Sequence, residues 1–290
     1  MIGDHRDGDL ERVLQQALDD GSSVWVVGDI HGHLETFEAL IERLNLSKGS
    51  QPIYQKKNPR KYWPSPLGDH VICLGDLIDR GPDSLGVLKL VESSGNIHSI
   101  RGNHDEMLRL SVSPKHGKMM KSWLKYGGVD TLQSFSNDPD EQIEIARGWL
   151  PFIESLPTEL VLRDYRLVHG GYNLSKSLEE QNNQDRMWSR TIFSSEVAID
   201  PRRQVIVGHT TIQALSRDID GIWDNELEKM VLESGIWASD ILLDDGRPAL
   251  VAIDTGIYLP DDEFPRLTAL DLLTGEVVSQ SRVGSPEDSE

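Results

Sequence analysis

Five short clusters in this 290-residue chain carry the side chains able to do polar chemistry. They read Gly28-Asp29-Ile30-His31-Gly32, Gly75-Asp76-Leu77-Ile78-Asp79-Arg80-Gly81, Arg101-Gly102-Asn103-His104-Asp105, His169-Gly170-Gly171 and Gly208-His209-Thr210. Asp, Asn and His offer only oxygen and nitrogen donors, a mixture that suits a borderline divalent ion such as Mn²⁺, Fe²⁺ or Zn²⁺ better than Ca²⁺ or Cu(I). Six such donors are too many for one tetrahedral site. They divide naturally between two ions about 3.5–4 Å apart that share a carboxylate, which suits clamping the attacking and leaving oxygens of an in-line phosphoryl displacement. Asp29 and His31 stand two apart, so an extended strand end points both side chains the same way. Asp76, at the end of the next run, is the expected bridge.

Each cluster must be positioned by the run that precedes it. Val24-Trp25-Val26-Val27, Val71-Ile72-Cys73-Leu74, Ile97-His98-Ser99-Ile100, Tyr165-Arg166-Leu167-Val168 and Val205-Ile206-Val207 read as buried strands. Helical spacing at 34–44, 84–92, 106–110 and 119–125 separates several of them. Strand alternating with helix predicts an α/β fold with a largely parallel sheet, whose strand carboxyl ends converge on one crevice. Leu10, Val13, Leu14, Ala17 and Leu18 predict an amphipathic opening helix stopped at Gly21. Toward the C-terminus, 250–253, 267–272 and 276–280 read as strands without helices between them, an antiparallel meander. One domain over 21–283 is expected, preceded by a helix and tail over 1–20 and followed by a loose tail over 284–290. Two stretches interrupt this rhythm. Residues 47–67 carry Lys48, Lys56, Lys57, Arg60 and Lys61 with no acid and read as a basic surface loop. Residues 218–245 are strongly acidic but contain Ile222, Trp223, Leu227 and Trp237, which suggests a small helical insertion.

The order and spacing of the five clusters resemble the calcineurin-like metallophosphoesterases, and within them the phosphoprotein phosphatases of the bacteriophage lambda type, from about Val24 to Gly256. The resemblance implies a β-sandwich of mixed sheets flanked by helices, with the active site at the strands' carboxyl ends. It implies one ion on Asp29 and His31, Asp76 bridging, and a second ion on Asn103, His169 and His209, with Mn²⁺ foremost and Fe²⁺ or Zn²⁺ as alternatives. His104 would be the general acid, Asp79 the carboxylate that orients it, and Arg80 and Arg190 the phosphate-binding arginines, a task suited to the guanidinium fork. The implied reaction is hydrolysis of phosphate monoesters, foremost phosphoserine and phosphothreonine in proteins, by a hydroxide bridging the two ions. Symmetrical dinucleoside tetraphosphate hydrolases share the first cluster and the Asn-His pair, but typically have Ala at the position of Asp79 and Trp at that of Thr210. A catalytically silent metal-binding scaffold is the third reading, and it would be expected to have lost a ligand or the acid. The chain departs from the pattern at Gly170, where Ala is frequent, and in the long spacing between His209 and Asp254. Trp123 with Gly127-Gly128, and Ile253-Asp254-Thr255-Gly256, read as structural echoes.

Composition narrows the partners. The formal charge is −19, a field that repels phosphate backbones and anionic lipid, so neither nucleic acid nor membrane is an expected partner. A phosphorylated protein or small phosphoester remains, and nothing in the chain demands more than a monomer. The single cysteine, Cys73, excludes an intramolecular disulfide and a Cys-x-x-Cys redox pair, which fits a cytoplasmic protein.

Overall fold

Side-chain alternation along the first strand already divides the core. Val24 and Val26 enter one apolar cluster while Trp25 and Val27 enter another on the opposite face. The computed structural model describes residues 5–46, 68–113, 119–216, 229 and 232–284. Its strands, in chain order, are β1 (Val24–Val27), β2 (His70–Cys73), β3 (Ile97–Ser99), β4 (Glu159–Val161), β5 (Tyr165–Val168), β6 (Gln204–Val207), β7 (Trp237–Ala238), β8 (Leu250–Ala252), β9 (Arg266–Asp271) and β10 (Val277–Ser281). They form two five-stranded mixed sheets ordered β10-β9-β1-β2-β3 and β4-β5-β6-β8-β7. Strands β1, β2 and β3 run parallel in the first sheet, and β5, β6 and β8 run parallel in the second.

The inner faces meet through Val24, Val26, Ile72, Leu167, Ile206, Val251 and Leu270. The helix α1 (Gly8–Asp19), capped by the Asp7 carboxylate, adds Leu10, Leu14 and Ala17 to the same cluster, so it shares the core with the strands. Outside the first sheet lie α2 (Leu34–Arg43), α3 (Ser84–Ser93), α4 (Asn103–Val112), α5 (Met120–Trp123), α6 (Val129–Phe135), α7 (Pro139–Gly148) and α8 (Leu150–Ser155). The short helices α9 (Asn183–Trp188) and α10 (Ile212–Leu215) flank the second sheet. Its outer face packs Val168, Val205 and Ala252 against Tyr172, Ile192 and Ile212. None of the described helices is long and apolar enough to cross a membrane.

The five runs expected as strands are strands, but the C-terminal meander needs correction. Only β9 and β10 form an antiparallel hairpin, and β9 continues antiparallel onto β1. Strand β8 lies in the other sheet, parallel to β6. Its Val251 faces the inter-sheet cluster while Leu250 and Ala252 face the outer one. A strand buried on both faces belongs to a sheet interior, and its apolar run does not say which sheet. Helices α7 and α8 escaped the sequence reading because each buries little, only Ala146 and Ile153 respectively, so the apolar stripe that marks a helix is faint. The basic stretch 47–67 and most of the expected insertion at 218–245 fall outside the described residues; at the latter's end lies the two-residue edge strand β7.

Candidate metal centre and active site

The carboxyl ends of β1, β2 and β3 meet those of β5, β6 and β8, and every cluster singled out in the sequence sits there. The strand ends of the two sheets approach tightly at Gly28, where an added Cβ would lie 2.4 Å from the Ile253 carbonyl oxygen. His31, Asp76, Asp79, Arg80 and His209 all have positive φ, five of the seven non-glycine residues that do among those described. Left-handed backbone at non-glycine residues is strained and persists only where its surroundings over-determine it.

Hydrogen bonds cross between the sheets at this point. Asp29 accepts the His209 backbone N–H at 3.1 Å. His169 Nδ1 donates to Leu74 O at 2.7 Å, while its Nε2 faces Asn103 Oδ1 at 2.8 Å and Asp76 Oδ1 at 3.3 Å. Both ring nitrogens therefore face only oxygens. Asp76, His169 and His209 bring one donor atom each within 4.8 Å of one another, and His31, Asp76 and His104 do the same. Asp76 belongs to both groups, as a bridging carboxylate must. Asp29 falls outside both triplets, although its Oδ1 lies 3.9 Å from His169 Nδ1.

The donor set fits divalent ions on this geometry. His31 donates Nδ1–H to Ile78 O at 3.0 Å, which leaves the Nε2 lone pair turned toward Asp76 Oδ2 at 3.6 Å. His209 Nε2 is buried without a hydrogen-bond partner. Asp29, Asp76, Asp105 and Asp254 are all buried in this region with no lysine among them. Burial, with Asp254 and Asp76 nearby, pushes the Asp29 carboxyl well up. Burial alone would raise Asp76, but His169, His104 and His31 together hold it well below the usual carboxylate range. Burial opposes a charge on His169, yet Asp76 and Asp29 raise it to about 10. A place that favours a cation this strongly among crowded carboxylates suits a metal ion.

Beside this centre, His104 Nδ1 donates to Asp79 Oδ2 at 2.7 Å, which turns its Nε2 toward the site. Asp79 is held in turn by the Trp123 indole N–H at 2.9 Å and the Thr131 hydroxyl at 2.6 Å. Burial raises the Asp79 carboxyl, and these donors oppose that shift. Trp123 thus gains a definite contact that its sequence position did not disclose, and Thr131 was not singled out at all. Asp105 accepts the backbone N–H groups of Asp76, Leu77 and Gly102, shaping the loop that carries the bridge, while burial lifts its own carboxyl to about 7.

Of the two arginines, Arg80 lies inside the cluster, with NH1 and NH2 each 3.0 Å from the Nε2 atoms of His31 and His104. Arg190 is exposed at the rim just beyond α9, where its Nε donates to Thr210 Oγ1 at 3.1 Å. The departure at Gly170 has a steric cause: a Cβ there would approach the Met187 carbonyl carbon to 2.8 Å. Asp254, read as structural, is buried; Gly256 N–H binds Oδ1 but Oδ2 has no partner. Burial lifts its carboxyl to about 6.

Two facing sheets with oxygen and nitrogen donors at their joint ends form a candidate metal centre. The chain belongs to the calcineurin-like phosphoesterase family, whose profile matches residues 22–251. It is similar to serine/threonine-protein phosphatase 1 of Salmonella typhimurium, 38% identical over 198 residues that cover 66% of this chain and 79% of that protein. Serine/threonine-protein phosphatase 2 of Escherichia coli is 29% identical over 53% of the chain and 61% of its own length. The symmetrical bis(5'-nucleosyl)-tetraphosphatase of Chromobacterium violaceum is 27% identical over 54% of the chain and 47% of its own length. Matches thus span from about half to four-fifths of these relatives. A solved structure proposed to be a diadenosine tetraphosphatase shares the fold, with TM-score 0.53, 19% identity, and 90% of this chain and 93% of that one covered. Family membership makes the protein a metallophosphoesterase, a hydrolase that works with divalent metal ions.

Proposed function

We propose that this protein is a binuclear phosphatase of phosphate monoesters, acting on phosphoserine and phosphothreonine in proteins. Asp29, His31, Asp76, Asn103, His169 and His209 would hold two divalent ions, Mn²⁺ foremost. Bound there, the ions would polarise the phosphoryl group and make water nucleophilic near neutral pH. Arg80 and Arg190 grip the non-bridging phosphate oxygens, and the guanidinium fork fixes the orientation of the tetrahedral anion. His104 gives the Nε2 proton to the departing alkoxide, and Asp79 keeps the ring aimed and stabilises its charged form. A reducing, cytoplasmic setting belongs to the same proposal and rests on the lone, buried Cys73.

The observation that carries this reading is the His104–Asp79 pair at 2.7 Å, buttressed by Trp123 and Thr131. An oriented acid matters most for a poorly acidic leaving group, such as the alkoxide of serine or threonine. A dinucleoside tetraphosphate releases a nucleotide, which departs with far less help. The test reconstitutes metal-depleted protein with Mn²⁺ and compares kcat/KM on phosphoserine, phosphothreonine and phosphotyrosine peptides, p-nitrophenyl phosphate and diadenosine tetraphosphate. Phosphoserine and phosphothreonine peptides should be hydrolysed best among the natural esters. Preference for diadenosine tetraphosphate would move the assignment to the tetraphosphatases. Failure on every substrate with both ions bound would leave a scaffold.

A further inference from the structure

Arg80 lacks what usually orients an arginine. Among the described residues no carboxylate forms an ion pair with it, although several acids lie buried nearby. Besides the His31 and His104 Nε2 atoms at its tip, it is held at its backbone and on its face. Its backbone N–H donates to Gly127 O at 3.3 Å, and Gly127 has φ +112° and no room for a side chain, since a Cβ there would lie 2.8 Å from both Arg80 Cγ and Arg80 N. On the other side the guanidinium carbon lies 3.9 Å from the centroid of the Tyr258 ring. That ring also stands edge-on to His31, with centroids 4.8 Å apart and planes at 87°. Tyr258 follows β8 in the second sheet's half of the site and contacts two residues of the first sheet's half.

We infer that Tyr258 is the positioning residue for Arg80, a π-face clamp that aims the guanidinium at a phosphate dianion without neutralising it. A carboxylate partner would occupy the N–H rim and compete with the substrate's oxygens. An aromatic face attracts the cation through its quadrupole, stacks on its plane and adds no negative charge at that rim, where the Nε2 atoms of His31 and His104 lie 3.0 Å from NH1 and NH2. Gly127 completes the clamp by letting the backbone press against the arginine's stem. The inference rests on the assignment of Arg80 to phosphate, and the experiment separates the two.

The test uses the 290-residue chain loaded with Mn²⁺. It measures kcat and KM for p-nitrophenyl phosphate, the inhibition constant of inorganic phosphate, and the rise in Tm that phosphate produces. Tyr258→Leu should raise KM and the phosphate inhibition constant by about 3- to 30-fold, shrink the phosphate-dependent Tm rise, and leave kcat within about threefold. Tyr258→Phe should restore all three, because the ring face remains. Tyr258→Met, a flexible filler of similar bulk, repeats the measurement should the leucine variant fold poorly. In an Arg80→Ala background, Tyr258→Leu should add nothing. Unchanged phosphate constants in the leucine and methionine variants overturn the inference, as does a phenylalanine variant as impaired as leucine. An undiminished effect in the Arg80→Ala background also overturns it. Unchanged phosphate constants in Arg80→Ala itself would instead overturn the assignment of Arg80, whatever Tyr258 does.

Discussion

Two regions bury several charges each, and they differ in whether those charges are answered from within the protein. Around Glu159, at the start of β4, one oxygen accepts from Arg166 at 2.6 Å and from the Tyr172 hydroxyl. The other accepts from Arg186 at 3.2 Å and faces His5 Nε2 at 3.4 Å. Arg166 also pairs with Asp200 at 2.7 Å, and Arg203 binds the same carboxylate at 3.1 Å. Burial pushes the Glu159 carboxyl up, but His5, Tyr172, Arg166 and Arg186 outweigh it and hold it at about 2. At the ends of the strands, by contrast, four aspartates are buried together, and His209 Nε2 and Asp254 Oδ2 have no partner. A closed network supports the fold, and an open one keeps binding capacity for something brought from outside.

The two are also joined. The Arg186 carbonyl accepts the Gly170 N–H at 2.7 Å and the Gly171 N–H at 3.2 Å, next to His169. The closed network therefore anchors α9, from whose end Arg190 reaches the open one. The calcineurin-like fold in this chain thus spends its internally paired charges on holding a frame and leaves the unpaired ones at the crevice.

The comparison breaks most sharply at the shared carboxylate. Asp76→Asn should lower kcat by about 10³-fold or more, within the range single essential groups command. It should strip bound metal, seen by elemental analysis, and lower Tm, because His169, His104 and His31 favour the charged Asp76 carboxylate in the folded protein. Retained metal and activity would mean the open cluster is as self-contained as the one at Glu159.

Next come His104→Asn and Asp79→Asn. Each should cut kcat about 10²–10⁴-fold on an alkyl phosphate and less on p-nitrophenyl phosphate, with metal content unchanged. Equal losses on both esters would remove His104 from its role as acid.

In the closed network the effects should fall on stability. Glu159→Ala leaves Arg186 without its carboxylate and Arg166 with Asp200 alone, and should destabilise by about 3–5 kcal/mol, read from denaturant midpoints, while kcat at a permissive temperature stays within about twofold. Glu159 also predicts a pH dependence. Its folded pKa of about 2 lies below the ordinary value of 4.5, so its contribution is complete above pH 4.5 and is lost as pH falls toward 2. The loss should be on the order of 3 kcal/mol across that window and absent from Glu159→Gln. An equal acid sensitivity in that variant would show that other carboxylates govern the transition.

The smallest effect expected is at the junction. Gly170→Ala must displace the Met187 backbone by a few tenths of an ångström or more, for about 1–3 kcal/mol and a raised KM through Arg190. A silent substitution would mean that α9 is not pressed against the His169 loop.

Much of this was legible in the chain itself. Short apolar runs ending in Gly, Asp, His and Asn define β1, β2, β3, β5 and β6 and the donors at their ends, because strand burial and tight turns depend on neighbours a few residues away. The pairing of Asp79 with His104 was implied by the family resemblance rather than by local pattern, and the two meet at 2.7 Å across 25 positions. What depended on the folded chain were meetings between distant segments. The Trp123 indole reaches Asp79 across 44 positions and the Thr131 hydroxyl across 52. Strand β8 chose the second sheet, and thereby brought Asp254 beside the donors and the Tyr258 ring onto Arg80. No local pattern encodes such contacts, since a tryptophan, a threonine or a tyrosine packs equally well in many places. Only the packing of the two sheets face to face decides which groups meet at their ends.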